Sequence, residues 1–302
     1  MVKIYATTPS STTRGGLCVP SLRKTNDVSR VWFITGSSTG LGRSLVTTAL
    51  AAGERVAATA RRPEQLDDLA AQCPDALRAF ALDVTDGAQV RAVVGEAAHT
   101  FGRLDVVVNN AGYGLIGALE ESDDSQIARN VETNLIGPIH VMQAALPLLR
   151  AQKSGHIVNV SAVAAFSNHP GFSVYGGAKA GLDAVSDALR DETRPLGIKV
   201  TVVVPGPFRT DFIGRSLERA SAHLEDYDKT SGKFGAYLEK INGAQPGDPD
   251  RAAQAIVQMV QEGKAPSRLF LGKFAMDSAR KKMAALERDI AEWQDVSLGT
   301  DY

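Results

Sequence analysis

From residue 31 the chain alternates short apolar runs with longer stretches in which apolar residues recur every three or four positions. Short continuous runs suit strands buried on both faces, and the longer spacing suits helices with one covered face. Strands are predicted over Val31 to Thr35, Arg55 to Ala60, Ala79 to Asp83, Asp105 to Asn109, His156 to Ser161, Lys199 to Val204 and Arg268 to Leu271. Helices are predicted between them, among others over Gly42 to Ala52, Gly87 to Phe101, Ser125 to Arg150 and Val174 to Arg194. Each is long enough to cross from one parallel strand to the next. The expected fold is therefore a single α/β domain over residues 30–273, a doubly wound, Rossmann-like parallel sheet of seven strands with helices on both faces.

Two segments break the rhythm. Residues 208–247 carry Phe208, Phe212, Tyr227, Phe234 and Tyr237 among charges and glycines, after the sixth predicted strand. A long insert beyond a strand's carboxyl end is where open α/β sheets bind ligands, although such aromatics can equally seal a surface excursion. Beyond residue 273, Ala279, Met283, Leu286, Ile290 and Trp293 recur at steps of four, three, four and three, which predicts a terminal amphipathic helix within residues 274–302. It is expected to pack on the body or on a second subunit.

Composition narrows the function classes. Lys and Arg number 33 against 34 Asp and Glu, so no basic surplus supports binding to nucleic acid. The two cysteines, Cys18 and Cys73, and the five histidines have neither the spacing of a disulfide framework nor that of a zinc cluster, and no metal is expected. No apolar run approaches the roughly 18 residues of a membrane helix. Residues 1–29 read as a disordered N-terminal extension whose first 26 residues contain no acid, which leaves a transit-like leader open; otherwise the expectation is cytoplasmic.

Thr35-Gly36-Ser37-Ser38-Thr39-Gly40-Leu41-Gly42 follows the first strand and opens a helix. Glycines in such a turn let the backbone approach a pyrophosphate, whose charge meets free N–H groups and the helix dipole. The GxxxGxG spacing differs from the common GxGxxG fingerprint, and tight turns also take glycine for steric reasons alone. Eighteen residues beyond Gly42, where an acid would hold a ribose 2′-hydroxyl, stand Ala60, Arg61 and Arg62. A paired cation there suits a 2′-phosphate, which favours NADP(H) and leaves NAD(H) open.

Tyr175 and Lys179 lie four apart in a predicted helix and so share a face, and Ser161 closes the fifth strand. Bringing a phenol with an ordinary pKa of about 10 to neutrality takes roughly 4 kcal/mol, which an adjacent ammonium helps to supply. Ser161 lacks the glycine flanks of a nucleophile elbow.

Together these residues resemble the short-chain dehydrogenases/reductases in their single-domain form, over about residues 30–272. Thr35 to Gly42 is similar to the family's TGxxxGxG turn, and Asp83-Val84 to its adenine-contacting pair. Asn109-Asn110-Ala111-Gly112 is similar to its NNAG stretch. Asn134, Ser161, Tyr175 and Lys179 match its catalytic tetrad, and Pro205-Gly206 with Thr210 its nicotinamide-side segment. The resemblance implies hydride transfer between a nicotinamide and a ketone or secondary alcohol. In it Tyr175 exchanges the proton, Lys179 lowers its pKa and holds the nicotinamide ribose, Ser161 positions the substrate oxygen, and Asn134 anchors a relaying water. It also implies a small-molecule substrate, which the aromatic insert suggests is hydrophobic, and leaves a dimer or tetramer open.

The tyrosine segment departs from the usual YxASK at Gly176 and Gly177, each costing a helix roughly 1 kcal/mol against alanine. Thr39 stands where many NADP-dependent members are basic, leaving Arg61 and Arg62 to discriminate. The alternative, a non-catalytic dinucleotide sensor of the same fold, predicts loss of the tyrosine or lysine, and both are present. A nucleotide-sugar epimerase predicts a TGxxGxxG turn and a larger carboxyl-terminal substrate domain, neither of which this sequence carries.

Overall fold

The computed structural model describes residues 29–302. Cys18 and all of the expected N-terminal extension but Ser29 lie outside the described residues. The chain begins β1 (Val31–Ile34), α1 (Gly40–Ala51), β2 (Arg55–Ala60), α2 (Asp67–Gln72), β3 (Leu77–Ala81), α3 (Gly87–Phe101) and β4 (Val106–Asn109). It continues with β5 (Gly114–Ile116), α4 (Asp124–Val131), α5 (Gly137–Gln152), β6 (Gly155–Val160), α6 (Val163–Phe166), α7 (Ser173–Thr193) and β7 (Ile198–Pro205). Last come β8 (Leu217–Arg219), α8 (Lys233–Ile241), α9 (Pro249–Gln261), β9 (Arg268–Leu271), α10 (Lys273–Glu292) and α11 (Gln294–Leu298).

Seven strands form one parallel sheet in the order β3-β2-β1-β4-β6-β7-β9, as the alternating pattern predicts. Side chains of β1 show why its run is continuously apolar. Trp32 and Ile34 enter the core beneath α1 and α9, while Val31 and Phe33 enter the opposite core beneath α3, α5 and α7. With both faces covered, no position on the strand can be polar without a buried partner. The order reverses between β1 and β4, which opens a crevice beyond their carboxyl ends.

Three local departures from the predicted elements matter to the site. The third strand runs two residues earlier than expected, so Asp83 lies in the loop, where its Oδ1 accepts from Thr85 N and Thr85 Oγ1 at 3.0 and 2.8 Å. The helix expected over Ser125 to Arg150 is interrupted by a π turn at Glu132–Ile136. Pro138 has no N–H to offer the carbonyl of Asn134, so the ordinary ladder fails there and a widened turn takes its place. The insert, finally, is more ordered than its composition suggests. Its β8 pairs in parallel with β5 as a two-stranded sheet, and Phe208 bridges Gly247 to close its base.

The terminal helix forms as expected, but only Ala275 and Ala279 are buried against the body. Among the described residues no helix is long and apolar enough to cross a membrane, and no cluster of three or more His, Cys, Asp or Glu could hold a metal.

Candidate active site

A cavity of about 920 Å³ opens at the crevice and is lined from the glycine turn to the insert. At one end β1 turns into α1 through Gly36 and Gly40, whose φ values of +66° and +54° lie in the left-handed region. A side chain at Gly42 would collide with Gly36 O and the Asn110 amide, so the turn closes only on glycine. Asn110 and Ala111 donate their backbone N–H groups to Thr35 Oγ1, both at 3.0 Å. Asn110 Nδ2 returns to Thr35 O and Gly36 O at 2.9 and 3.0 Å. The turn is therefore clamped to the loop after β4. Thr39 caps α1 without a side-chain bond, which leaves the first N–H groups of that helix facing the cavity's glycine end.

Ser38, Leu41, Arg61, Arg62, Asp83, Val84 and Gly112 line the same cavity. Both arginines are exposed and stand just past the end of β2. Val84 also fixes the start of α5, because a side chain at Gly137 would meet Val84 Cγ2 at 2.8 Å. Pro205 ends β7, Gly206 N donates to Leu271 O at 3.0 Å, and Thr210 packs over Gly40.

The predicted tetrad converges on the cavity's deeper wall. Tyr175 and Lys179 project from one face of α7, Ser161 follows β6, and Asn134 sits in the π turn. Asn134 Nδ2 donates to Tyr113 O at 2.9 Å and Asn130 O at 3.0 Å, which aims its buried Oδ1, without a protein partner, towards Gly112. Gly112 has to be bare: a Cβ there would lie 2.5 Å from Asn134 Oδ1 and 3.3 Å from Lys179 Nζ. Lys179 Nζ donates to Val160 O at 3.0 Å.

Burial sets the electrostatics. It pushes the Lys179 ammonium down to about 8, against the pull of the Asp183 carboxylate four residues on, and pushes the Tyr175 phenol up. The protein alone thus opposes the lowered phenol pKa that the sequence reading anticipates. Asp183, which that reading overlooks, is raised by its own burial and held back by the Ser161 hydroxyl and by Arg268, whose Nε lies 3.5 Å away. Ser161 Oγ is nonetheless buried without a hydrogen bond. The i,i+4 step from Lys179 to Asp183 was the available signal.

The aromatic insert closes the outer end. Phe172 and Tyr175 meet edge to face at 5.2 Å, Phe172 and Phe234 likewise at 5.2 Å, and Phe212 lies 5.7 Å from Tyr175. His169, stacked on Phe234 at 4.9 Å and lowered in pKa by burial, and Phe274 of α10 also line this end. Neither was anticipated, since nothing local marks them. Gly176 has a packing reason: a side chain there would strike Asn168, whose amide holds Phe172 O at 3.2 Å. Gly177 faces open space, and nothing in the structure explains it.

Residues 30–220 match the model of the short chain dehydrogenase family. The chain belongs to that family. Oxidoreductase BOA17 of Botryotinia fuckeliana is 39% identical over 274 residues, covering 90% of this chain and all of the relative. A short-chain dehydrogenase structure from Streptomyces avermitilis superposes with a TM-score of 0.86 at 39% identity, over 91% of this chain and 100% of that one. A 3-ketodihydrosphingosine reductase of Bacteroides thetaiotaomicron is 30% identical over 246 residues, or 80% of this chain and 88% of the relative. As a short-chain dehydrogenase this protein is an NAD(P)-dependent oxidoreductase.

Proposed function

We propose that this short-chain dehydrogenase uses NADP(H) to interconvert a hydrophobic ketone and its secondary alcohol, with Tyr175 as proton donor and acceptor. One observation carries the reading. Tyr175, Lys179, Ser161 and Asn134 line a cavity that continues, without a break, to the glycine turn and to Arg61 and Arg62.

The donor set fits a phosphorylated dinucleotide. The cradle of Gly36, Ser38, Gly40, Leu41 and Gly42, at the free N-terminus of α1, suits a pyrophosphate. Two exposed guanidiniums beyond β2, with no carboxylate at that position, suit a 2′-phosphate. Asp83 and Val84 would take the adenine ring, Asn110, Ala111 and Gly112 the adenosine ribose, and Pro205, Gly206 and Thr210 the nicotinamide end, and all of them line the cavity. When bound, the nicotinamide supplies or takes up the hydride at the carbon that bears the oxygen.

The remaining work falls to this chain. Ser161 Oγ, a buried hydroxyl beside the Asp183 carboxyl, can turn to donate to the substrate oxygen. Tyr175 delivers the proton to that oxygen in reduction and takes it back in oxidation. An ammonium at Lys179, on the same face of α7, would favour the phenolate against the upward push that burial exerts on Tyr175. Asn134 Oδ1, buried and without a protein partner, can hold a water that carries protons out past Lys179. The outer wall of Phe172, Phe212, Phe234 and Leu238 excludes water and offers an apolar surface to the rest of the substrate. A relative named for reduction of a ketone, 3-ketodihydrosphingosine, supports that direction.

The test joins a titration to a substitution. NADPH and NADH are titrated by fluorescence, and a panel of ketones graded in apolar length is reduced with the preferred nucleotide. Tighter NADPH binding, faster turnover of the more apolar ketones, and loss of turnover in Tyr175→Phe by roughly a hundredfold or more with nucleotide affinity retained are expected. Tighter NADH binding refutes the arginine assignment. Unchanged turnover in the variant refutes the proton role.

A further inference from the structure

The insert holds a buried amide at the cavity that neither the hydride step nor the proton step uses. Along α8, Phe234, Leu238 and Ile241 share one face and join Tyr175 in the apolar outer wall. The helix ends in a turn, with Ala244 N donating to Ile241 O at 2.9 Å, and the residue after it, Gln245, again lines the cavity. Its main chain is fixed. Gln245 O accepts from Arg209 Nε and Nη2, both at 3.3 Å, Gly247 N donates to Pro207 O at 3.1 Å, and Arg209 N donates to Gly247 O at 2.8 Å. These bonds draw Gln245 against the segment after β7, so it stands where the apolar wall meets that segment. Its side chain is left bare. Gln245 is 1% exposed, yet among the described residues neither Nε2 nor Oε1 has a hydrogen bond. Burying an amide in this way is costly, and a side chain needed only to fill the space would serve better as methionine.

We propose that Gln245 is a specificity residue of the substrate site, and that the ketone this enzyme takes carries an uncharged hydroxyl or amide between its carbonyl and its apolar tail. The inference rests on the ketone reading above and narrows the substrate class. The chemistry of the side chain selects the group. Nε2 donates and Oε1 accepts, so a hydroxyl or an amide, each of which does both, satisfies the pair. A carboxylate would set a second acceptor against Oε1, and an ammonium a second donor against Nε2, and either charge would be buried in an apolar wall. The group belongs on the near part of the ketone, because Gln245 adjoins the segment after β7 whereas Phe172, Phe234 and Leu238 form the outer wall. A bound nicotinamide carboxamide offers the same donor and acceptor, and the experiment separates the two.

The experiment compares the full chain with Gln245→Met, an unbranched replacement of similar length, on ketones matched in chain length. Some are plain, and others bear a hydroxyl, an amide or a carboxylate a few carbons from the carbonyl. Selectivity is read as kcat/KM and, separately, by calorimetric titration of each ketone into the complex with the oxidised nucleotide, which cannot reduce it. The unaltered protein is expected to favour the hydroxyl and amide ketones over the plain and carboxylate ones by roughly a hundredfold, and Gln245→Met to lose that preference in both readouts. No preference in the unaltered protein, or one that survives the substitution, overturns the proposal. The dead-end complex needs no proton transfer, so a failed Tyr175 assignment leaves this outcome decisive. Without nucleotide or ketone, Gln245→Met is expected to melt no lower than the unaltered protein, because an unpaired buried amide gives way to an apolar group. A lower melting temperature marks an amide that the fold itself requires and overturns the proposal. NADP+ and its 3-acetylpyridine analogue, which lacks the carboxamide N–H groups, are then titrated into both proteins. Their affinity ratio is expected to be the same in each; a ratio that collapses in Gln245→Met assigns the amide to the nucleotide and overturns the substrate role.

Discussion

Lys179 is the place where function and stability should part. Its ammonium is buried, and its pKa falls from an ordinary 10.5 to about 8, so holding the charge inside the fold costs about 3 kcal/mol at pH 7. Lys179→Met removes that charge with a side chain of similar length. It also removes the 3.0 Å bond from Nζ to Val160 O, which returns about 1 kcal/mol of the gain. The nucleotide-free variant is therefore expected to be more stable than the unaltered protein by about 2 kcal/mol at pH 7 in urea unfolding, while turnover falls at least a hundredfold on the order of general acid–base losses. The pH dependence fixes the cause. Between about 8 and 10.5 the unfolded chain binds the proton that the folded chain has released, so the stability of the unaltered protein gains from this group as pH rises through that window. Below the window the advantage of the variant is full, and towards pH 10.5 it closes. Tyr175 is present in both proteins, so its titration cancels. A variant less stable at pH 7, or an advantage equal at pH 7 and pH 10, would falsify the burial argument.

Three further outcomes are expected. Arg61→Ala with Arg62→Ala should weaken NADPH binding by about ten- to a hundredfold and leave NADH within a few-fold, since only the 2′-phosphate loses charge-assisted bonds. An equal loss for both nucleotides in the same titration would mean that the pair holds something other than that phosphate. Gly42→Ala drives a methyl into Gly36 O and the Asn110 amide, so both thermal stability and nucleotide affinity should drop, the former by about 1–3 kcal/mol; a variant that melts with the unaltered protein counts against the clamp. Phe234→Ala opens the outer wall between His169 and Phe172 and should raise KM for long apolar ketones roughly tenfold while sparing small ones. A uniform change across the ketone panel would place Phe234 in the scaffold instead.

What could be read in advance follows the range of the interaction. The strands of the main sheet were legible because burial on both faces forces runs such as Val31–Ile34 to be wholly apolar, a local signature of a global fact. The glycine turn and the step from Tyr175 to Lys179 were legible for the same reason, each being set by backbone geometry within a few residues. Asn134 was expected on an unbroken helix and stands instead in the π turn, because the apolar rhythm of α4 and α5 runs straight through that turn and only the missing N–H of Pro138 records the break. The pairing of β5 with β8 joins segments about a hundred residues apart through three residues each, too few for a periodic signal. Gly176 shows the limit most directly. Its sequence neighbours suggest a weakened helix, whereas the side chain of Asn168 occupies the space that a Cβ would need. Since that amide also ties down Phe172, whose ring packs on Tyr175, the unusual glycine lets the loop before α7 brace the proposed proton donor.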